Sequence, residues 1–226
     1  MTGMLASITN LQEALQVLKY DVDIIDLKDP AQGALGDLEI ESIKTIVQAI
    51  KGQRRISATI GDLPMHPQTI LSAVLAKAET DVDFIKIGFF PGGDWHGTLD
   101  ALADLGDSGT RMIAVLFADT QPELGLLSKI KSAQFRGVML DTMDKQKGSL
   151  TDLMPQKALQ NFVEQASANH LICGLAGSLR LADIPALKSL KPDYLGFRGA
   201  LCSQQKRTAE LDEPAIKAIC SLIKKV

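Results

Sequence analysis

A carboxylate and an amine stand two residues apart in Asp23-Ile-Ile-Asp-Leu-Lys28, at the end of a short apolar run. Strand side chains alternate between faces, so Ile24, Asp26 and Lys28 share one face and Ile25 and Leu27 the other. A strand apolar on both faces is buried on both, and charges there are costly unless they sit at an open end and are used. Asp81-Val-Asp-Phe-Ile-Lys-Ile-Gly88 superposes on Asp21-Val-Asp-Ile-Ile-Asp-Leu-Lys28, and Lys191-Pro-Asp-Tyr-Leu-Gly-Phe-Arg198 lies over both. In this weak internal repeat Lys86 matches Asp26 and Arg198 matches Lys28, so all are expected to point the same way. Two lysines facing one another in a partly dry pocket disfavour each other's protonation. At least one pKa then falls toward neutrality, and the free amine can attack a carbonyl to give a Schiff base. Asp26 and Asp141, the latter followed by Lys145, would hold the remaining ammonium or shuttle protons. The competing reading of Asp26 and Lys28 is a salt bridge at a rim.

Positioning these groups requires strands that end at one common mouth. Apolar runs of strand length occur around Met4–Ile8, Asp23–Lys28, Arg55–Ile60, Phe84–Phe89, Met112–Ala118, Gly137–Asp141, Leu171–Leu175 and Asp193–Arg198. Helical periodicity follows each, for instance in Ile43, Ile46, Val47 and Ile50, or in Leu159, Phe162, Val163 and Ala166. The last helix has a start signal in Asp212-Glu-Pro214, with Ile216, Ile219 and Ile223 on its inner face. Eight βα units in 226 residues predict a (β/α)₈ TIM barrel, α/β in class, as one domain spanning residues 1–226. Strands two, four and eight are all even-numbered and share interior layers, which would bring Lys28, Lys86 and Arg198 together at the carboxyl-end mouth.

A second constellation sits on the last two strands. Gly174-Leu-Ala-Gly-Ser178 ends the seventh and Gly196-Phe-Arg-Gly-Ala200 the eighth. In barrels these loops commonly bind phosphate through backbone N–H groups, which marks Gly177, Ser178, Arg198 and Gly199 as an anion site. Gly177 and Gly199 acting only as turn residues is the plainer alternative. Asp62 either lines the mouth or caps the helix near Pro67, and Asp119 reads as a turn former. Trp95 reads as the staple of the next helix, and His66, His96 and His170 lack ligand spacing, so neither metal nor cofactor is expected.

Composition narrows the class further. A net charge of −3, with 46% apolar and 23% charged residues, describes an ordinary globular chain with no general attraction for nucleic acid or anionic membrane. Cys173, Cys202 and Cys220 are odd in number and lack CxxC spacing, as expected of reduced thiols in a cytoplasmic protein. The opening residues have no basic leader region, and apolar runs such as Ile113 to Ala118 are too short to span a bilayer. A homo-oligomer is allowed, since barrels often associate through their outer helices.

Taken together, Asp23-Ile-Ile-Asp-Leu-Lys-Asp-Pro-x-x-Gly-Ala-Leu-Gly36, Ser57-Ala-Thr-Ile-Gly-Asp62, Asp83-Phe-Ile-Lys-Ile-Gly88, Met139-Leu-Asp-Thr142, Leu175-Ala-Gly-Ser178 and Gly196-Phe-Arg-Gly-Ala200 resemble the (5-formylfuran-3-yl)methyl phosphate synthase family of methanofuran biosynthesis. The resemblance covers nearly the whole chain in order and spacing. It implies a condensation of two glyceraldehyde 3-phosphate molecules to 4-(hydroxymethyl)-2-furancarboxaldehyde phosphate, with loss of one phosphate and two waters. It also implies Lys28 as the Schiff-base lysine and Lys86 as proton acceptor, assisted by Asp26, Asp141 and a loop lysine, Lys145 or Lys147. Such an enamine would eliminate phosphate and make an aldol attack on the second aldehyde. Asp26-x-Lys28 is also similar to phosphate-sugar decarboxylase barrels and Asp83-Phe-Ile-Lys86 to deoxyribose-phosphate aldolase. A barrel that binds sugar phosphates without turnover is the alternative outside enzymes.

Overall fold

A computed structural model of the protein describes residues 1–50 and 52–225. Its strands are β1 (Gly3–Ile8), β2 (Ile24–Leu27), β3 (Arg55–Thr59), β4 (Phe84–Gly88), β5 (Met112–Phe117), β6 (Gly137–Asp141), β7 (Ile172–Leu175) and β8 (Tyr194–Phe197). They pair in sequence order, all parallel, and β8 closes onto β1, giving the (β/α)₈ barrel that the periodicity predicts. The helices between them are α1 (Leu11–Val17), α2 (Ile40–Ile50), α3 (Pro67–Ala78), α4 (Trp95–Asp107), α5 (Leu126–Ser132), α6 (Leu150–Leu153), α7 (Gln156–Ala168) and α8 (Ile184–Ser189), and α9 (Glu213–Lys224) follows β8.

Strand alternation divides the core into two. Leu5, Ile24, Phe84, Val115 and Met139 fill the barrel interior. Ile25, Leu27, Ile85 and Ile87 face outward and pack against helix residues such as Ile43, Ile46, Leu159, Phe162 and Ile216. These faces are buried because both sides of a parallel sheet are covered.

Part of the internal repeat is structural. Asp23 accepts the Met4 N–H through Oδ2 at 2.7 Å, Asp83 accepts that of Ile56 at 2.8 Å, and Asp193 accepts that of Cys173 at 2.7 Å. Each repeat thus begins with a carboxylate that ties its strand to the one before, at the end of the barrel opposite the mouth. Because register in a sheet fixes which face each side chain takes, these ties set the layer above. Ser7 and Ser57 are the register partners of Asp26 on its two sides, and Lys86 is opposite Thr59.

Candidate active site

Asp26 is fully buried and accepts hydrogen bonds from three side chains. Lys86 Nζ lies 2.9 Å from Oδ2, Ser7 Oγ is 2.8 Å from the same oxygen, and Ser57 Oγ donates to Oδ1 at 2.6 Å. Burial works to raise the pKa of Asp26, but the charges of Lys86 and Lys28 and the Ser57 bond outweigh it, and the carboxylate stays ionised below its usual range. Lys86 is only 2% exposed, so the pair is an interior one, held one pleat below the mouth.

Asp141 ends β6 and organises the second pair. Its Oδ1 accepts the Thr142 N–H at 2.7 Å and Lys145 Nζ at 2.5 Å, and Lys145 also donates to the Thr142 carbonyl. Lys147 is exposed, so the loop lysine of the site is Lys145. Burial opposes ionisation of Asp141 as well, yet Lys145 and Lys28 hold its pKa down at about 2.

Lys28 is left between these two pairs. It is buried, and among the described residues its ion-pair contact is Asp141 Oδ2 at 4.0 Å, too long for a hydrogen bond. Burial is the largest influence on it, and the neighbouring Lys86 and Lys145 act in the same direction. Against the opposing pull of Asp141 and Asp26, they bring its pKa from 10.5 down to about 8. At pH 7.5 roughly a quarter of such an amine is unprotonated, against about one part in a thousand for an ordinary lysine.

The loops that carry these residues are themselves fastened. Asp62 accepts the N–H groups of Ala34 at 2.8 Å and Leu35 at 2.7 Å, so it steadies the loop after Lys28 and does not cap α3. Asp119 accepts those of Met143 at 2.8 Å and Asp144 at 2.9 Å, so it anchors the Lys145 loop and is more than a turn former. Trp95 opens α4, packs edge-on against Phe89 and donates its indole N–H to the Phe90 carbonyl.

On the β7 and β8 side, Gly177 and Ser178 both adopt positive φ, 108° and 48°. A Cβ at Gly177 would stand 2.7 Å from Thr142 Cγ2, so glycine is required there for conformation and for space. Among the described residues, the N–H groups of Gly177, Ser178 and Gly199 find no acceptor within the protein, and all three residues line the mouth. Arg198 departs from its expected role. Alternation along β8 would aim it inward, but its backbone leaves the extended region at φ −133° and ψ −68°. Its guanidinium instead makes a two-pronged pair with Glu13, Nη1 to Oε2 at 2.5 Å and Nη2 to Oε1 at 3.1 Å. It is therefore occupied by a carboxylate, although Arg198 lines the same mouth as Lys28 and Lys86.

Ser7, Ser57, Glu13, Arg180 and Arg207 are not among the site residues that the sequence predicts. Alternation alone would have placed Ser7 and Ser57 beside Asp26. Arg180 spans Asp152 at 2.7 Å and Ser149 at 2.8 Å, and no periodic signal points to it or to Arg207, because both lie in loops. With Lys28, Lys86, Asp141 and Lys145 these two arginines border a cavity of about 540 Å³ at the carboxyl ends of the strands. That volume suits a small-molecule site.

The fold and this mouth define a (β/α)₈ barrel with a cationic site at the carboxyl ends of its strands. In fold it is similar to 3-hexulose-6-phosphate synthase, with a TM-score of 0.71 at 15% identity over 98% of this chain and 99% of the other. It is equally similar to phosphoribosyl anthranilate isomerase from Thermotoga maritima, with a TM-score of 0.72 at 13% identity over 99% of both chains. The chain belongs to the 4-HFC-P synthase family, whose profile matches residues 4–220. A Methylorubrum extorquens protein provisionally named (5-formylfuran-3-yl)methyl phosphate synthase is 41% identical, over 92% of this chain and 86% of that protein. The (5-formylfuran-3-yl)methyl phosphate synthases of Methanopyrus kandleri and Methanocaldococcus jannaschii are 32% and 31% identical. The first match covers 90% of this chain and 91% of the relative, the second 98% and 99%.

Proposed function

We propose that the chain condenses two molecules of glyceraldehyde 3-phosphate to the furan aldehyde phosphate for which its relatives are named, releasing one phosphate and two waters. The observation that carries this reading is the division of labour among the lysines. Lys86 is bound to Asp26 at 2.9 Å and Lys145 to Asp141 at 2.5 Å, while Lys28, between them, is held near pKa 8 without a close carboxylate. That is the state a Schiff-base amine needs.

In this reading Lys28 Nζ attacks the aldehyde carbon of the first triose phosphate, and water leaves. Lys86 gives its proton to the water that leaves; the imine acidifies the adjacent C–H, Lys86 takes that proton, and Asp26, braced by the two serines, holds its ammonium. The enamine electrons then expel the phosphate at the third carbon, leaving an enol whose terminal carbon is the nucleophile. The product's name places its formyl and phosphomethyl groups in a 1,3 relation on the ring. The new C–C bond must therefore form to the middle carbon of the second triose, so that triose first moves its C2 proton to C1 through an enediol and reacts as its ketone isomer. This amends the expected attack on a second aldehyde. Ring closure by the terminal hydroxyl, loss of two waters and hydrolysis of the imine complete the furan and restore Lys28.

The retained phosphate, on the second triose, is assigned to the N–H groups of Gly177, Ser178 and Gly199. The test is borohydride reduction with glyceraldehyde 3-phosphate, location of the adduct by peptide mass, and absorbance of the furan aldehyde. Adduct on Lys28 is expected; undiminished furan production by Lys28→Ala would refute the reading.

A further inference from the structure

The proposed condensation handles two phosphate groups with different fates, one retained and one expelled, and the backbone N–H groups after β7 and β8 account for one. Because the expelled group belongs to the triose on Lys28, its subsite must lie on the β2 side of the mouth. Arg198 is excluded from that task by Glu13.

We infer that Arg207 is the guanidinium that holds the phosphate expelled from the Lys28-bound triose, and that Glu13 and Arg198 are positioning residues for it. Arg207 lines the mouth, and its Nη2 donates to the carbonyls of Pro30 and Gly33, in the loop that directly follows Lys28. The β8 loop is thereby drawn across β1 to the strand that carries the nucleophile. From the other side, Arg198 Nε donates to the Arg207 carbonyl at 2.7 Å, so the Glu13 pair fixes the main chain of Arg207. Among the described residues no carboxylate forms an ion pair with Arg207, and its Nε and Nη1 make no hydrogen bond within the protein. Burial lowers its pKa, while Asp141, Asp62 and Asp29 raise it, which sets the guanidinium within the field of the carboxylate beside Lys28. An arginine keeps its charge under such conditions.

A guanidinium with unspent donors is suited to phosphate, and one placed here would favour the step in which the C–O bond breaks and the phosphate leaves with the electron pair. Arg207 transfers no proton in that step; it remains a cation and donates hydrogen bonds. The inference rests on the Schiff-base reading above, and the experiment separates the two.

Lys28 is trapped with borohydride in parallel with glyceraldehyde 3-phosphate and with unphosphorylated glyceraldehyde, in the unaltered protein, Arg207→Gln and Arg207→Lys. Absence of any Lys28 adduct in the unaltered protein would defeat the Schiff-base reading itself. With adduct present, Arg207→Gln is expected to lower trapping of the phosphorylated aldehyde by at least about tenfold more than that of glyceraldehyde, the scale of one charged hydrogen bond. Arg207→Lys should fall between. An equal fall with both aldehydes would make Arg207 only a fastener of two loops, and no fall would remove it from the site; either overturns the inference. Should the variants fail to fold, phenylglyoxal modification of the unaltered protein decides: inorganic phosphate should protect Arg207, and equal labelling with and without phosphate would refute the assignment.

Discussion

Replacing Lys28 by methionine is expected to abolish furan formation and at the same time stabilise the protein. Lys28 is 8% exposed, and burial is the main reason its pKa stands at about 8 against an ordinary 10.5. That gap corresponds to about 3 kcal/mol by which folding disfavours the ammonium form. The sign follows from the proton balance. Below pH 8 the lysine is protonated both folded and unfolded, and the full cost is present. Between 8 and 10.5 only the unfolded chain holds the proton, so the cost fades as pH rises, and above 10.5 it is gone. Methionine keeps the apolar stem without the charge, so Lys28→Met should recover about 1–3 kcal/mol at pH 7, or several degrees at about 2–4 °C per kcal/mol for a chain of this size. Thermal unfolding of both proteins at pH 7 and near pH 10, beside the furan assay, measures it. A lower melting temperature at pH 7 would refute the reasoning, because it would make Lys28 a salt-bridge residue whose loss strands Asp141.

Lys86→Met should cost stability, since it leaves the carboxylate of a fully buried Asp26 without its 2.9 Å partner, and breaking a buried pair costs about 3–5 kcal/mol. Asp26→Asn in the same protein should restore part of that loss in denaturant titrations, and simple additivity of the two changes would argue against coupling. Asp141, held at about pKa 2, gives the fold about 2 kcal/mol that is present above the ordinary carboxylate range and lost as pH falls through 2. The stability curve between about pH 4 and 2 should accordingly be shallower in Asp141→Asn, and an unchanged slope would count against the Lys145 and Lys28 attachments. Gly177→Ala should lower stability, through its φ of 108° and its 2.7 Å approach to Thr142, and raise KM for triose phosphate; an unchanged KM in a folded variant would remove that loop from the phosphate site.

How far the site could be read from sequence depends on which physical rule governs each residue. Asp26 and Lys86 were legible because they sit inside strands, where alternation is enforced by burial of both faces, and the repeat gave their relative height. Lys28 lies one residue past the end of β2, yet its backbone continues the ladder, its N–H donating to the Ile8 carbonyl at 3.1 Å, so extrapolation held. Arg198 also lies one residue past its strand and lines the same mouth, but its guanidinium is spent on Glu13 and on the Ser7 carbonyl. The signal that might have warned of this was Glu13, which looks like an ordinary capping residue: Asn10 accepts its N–H at 2.9 Å, and its Oε2 accepts the Thr9 N–H at 2.8 Å. The same carboxylate also binds Arg198, a contact 185 residues away along the chain, which no local pattern encodes. Residues held by the period of a strand were therefore visible in the sequence. Arg207 and Asp119 are set by where loops meet across a closed barrel, and Glu13 by where α1 meets the end of β8; it is that closure, not local spacing, that allots one guanidinium to a carboxylate and leaves another facing the mouth.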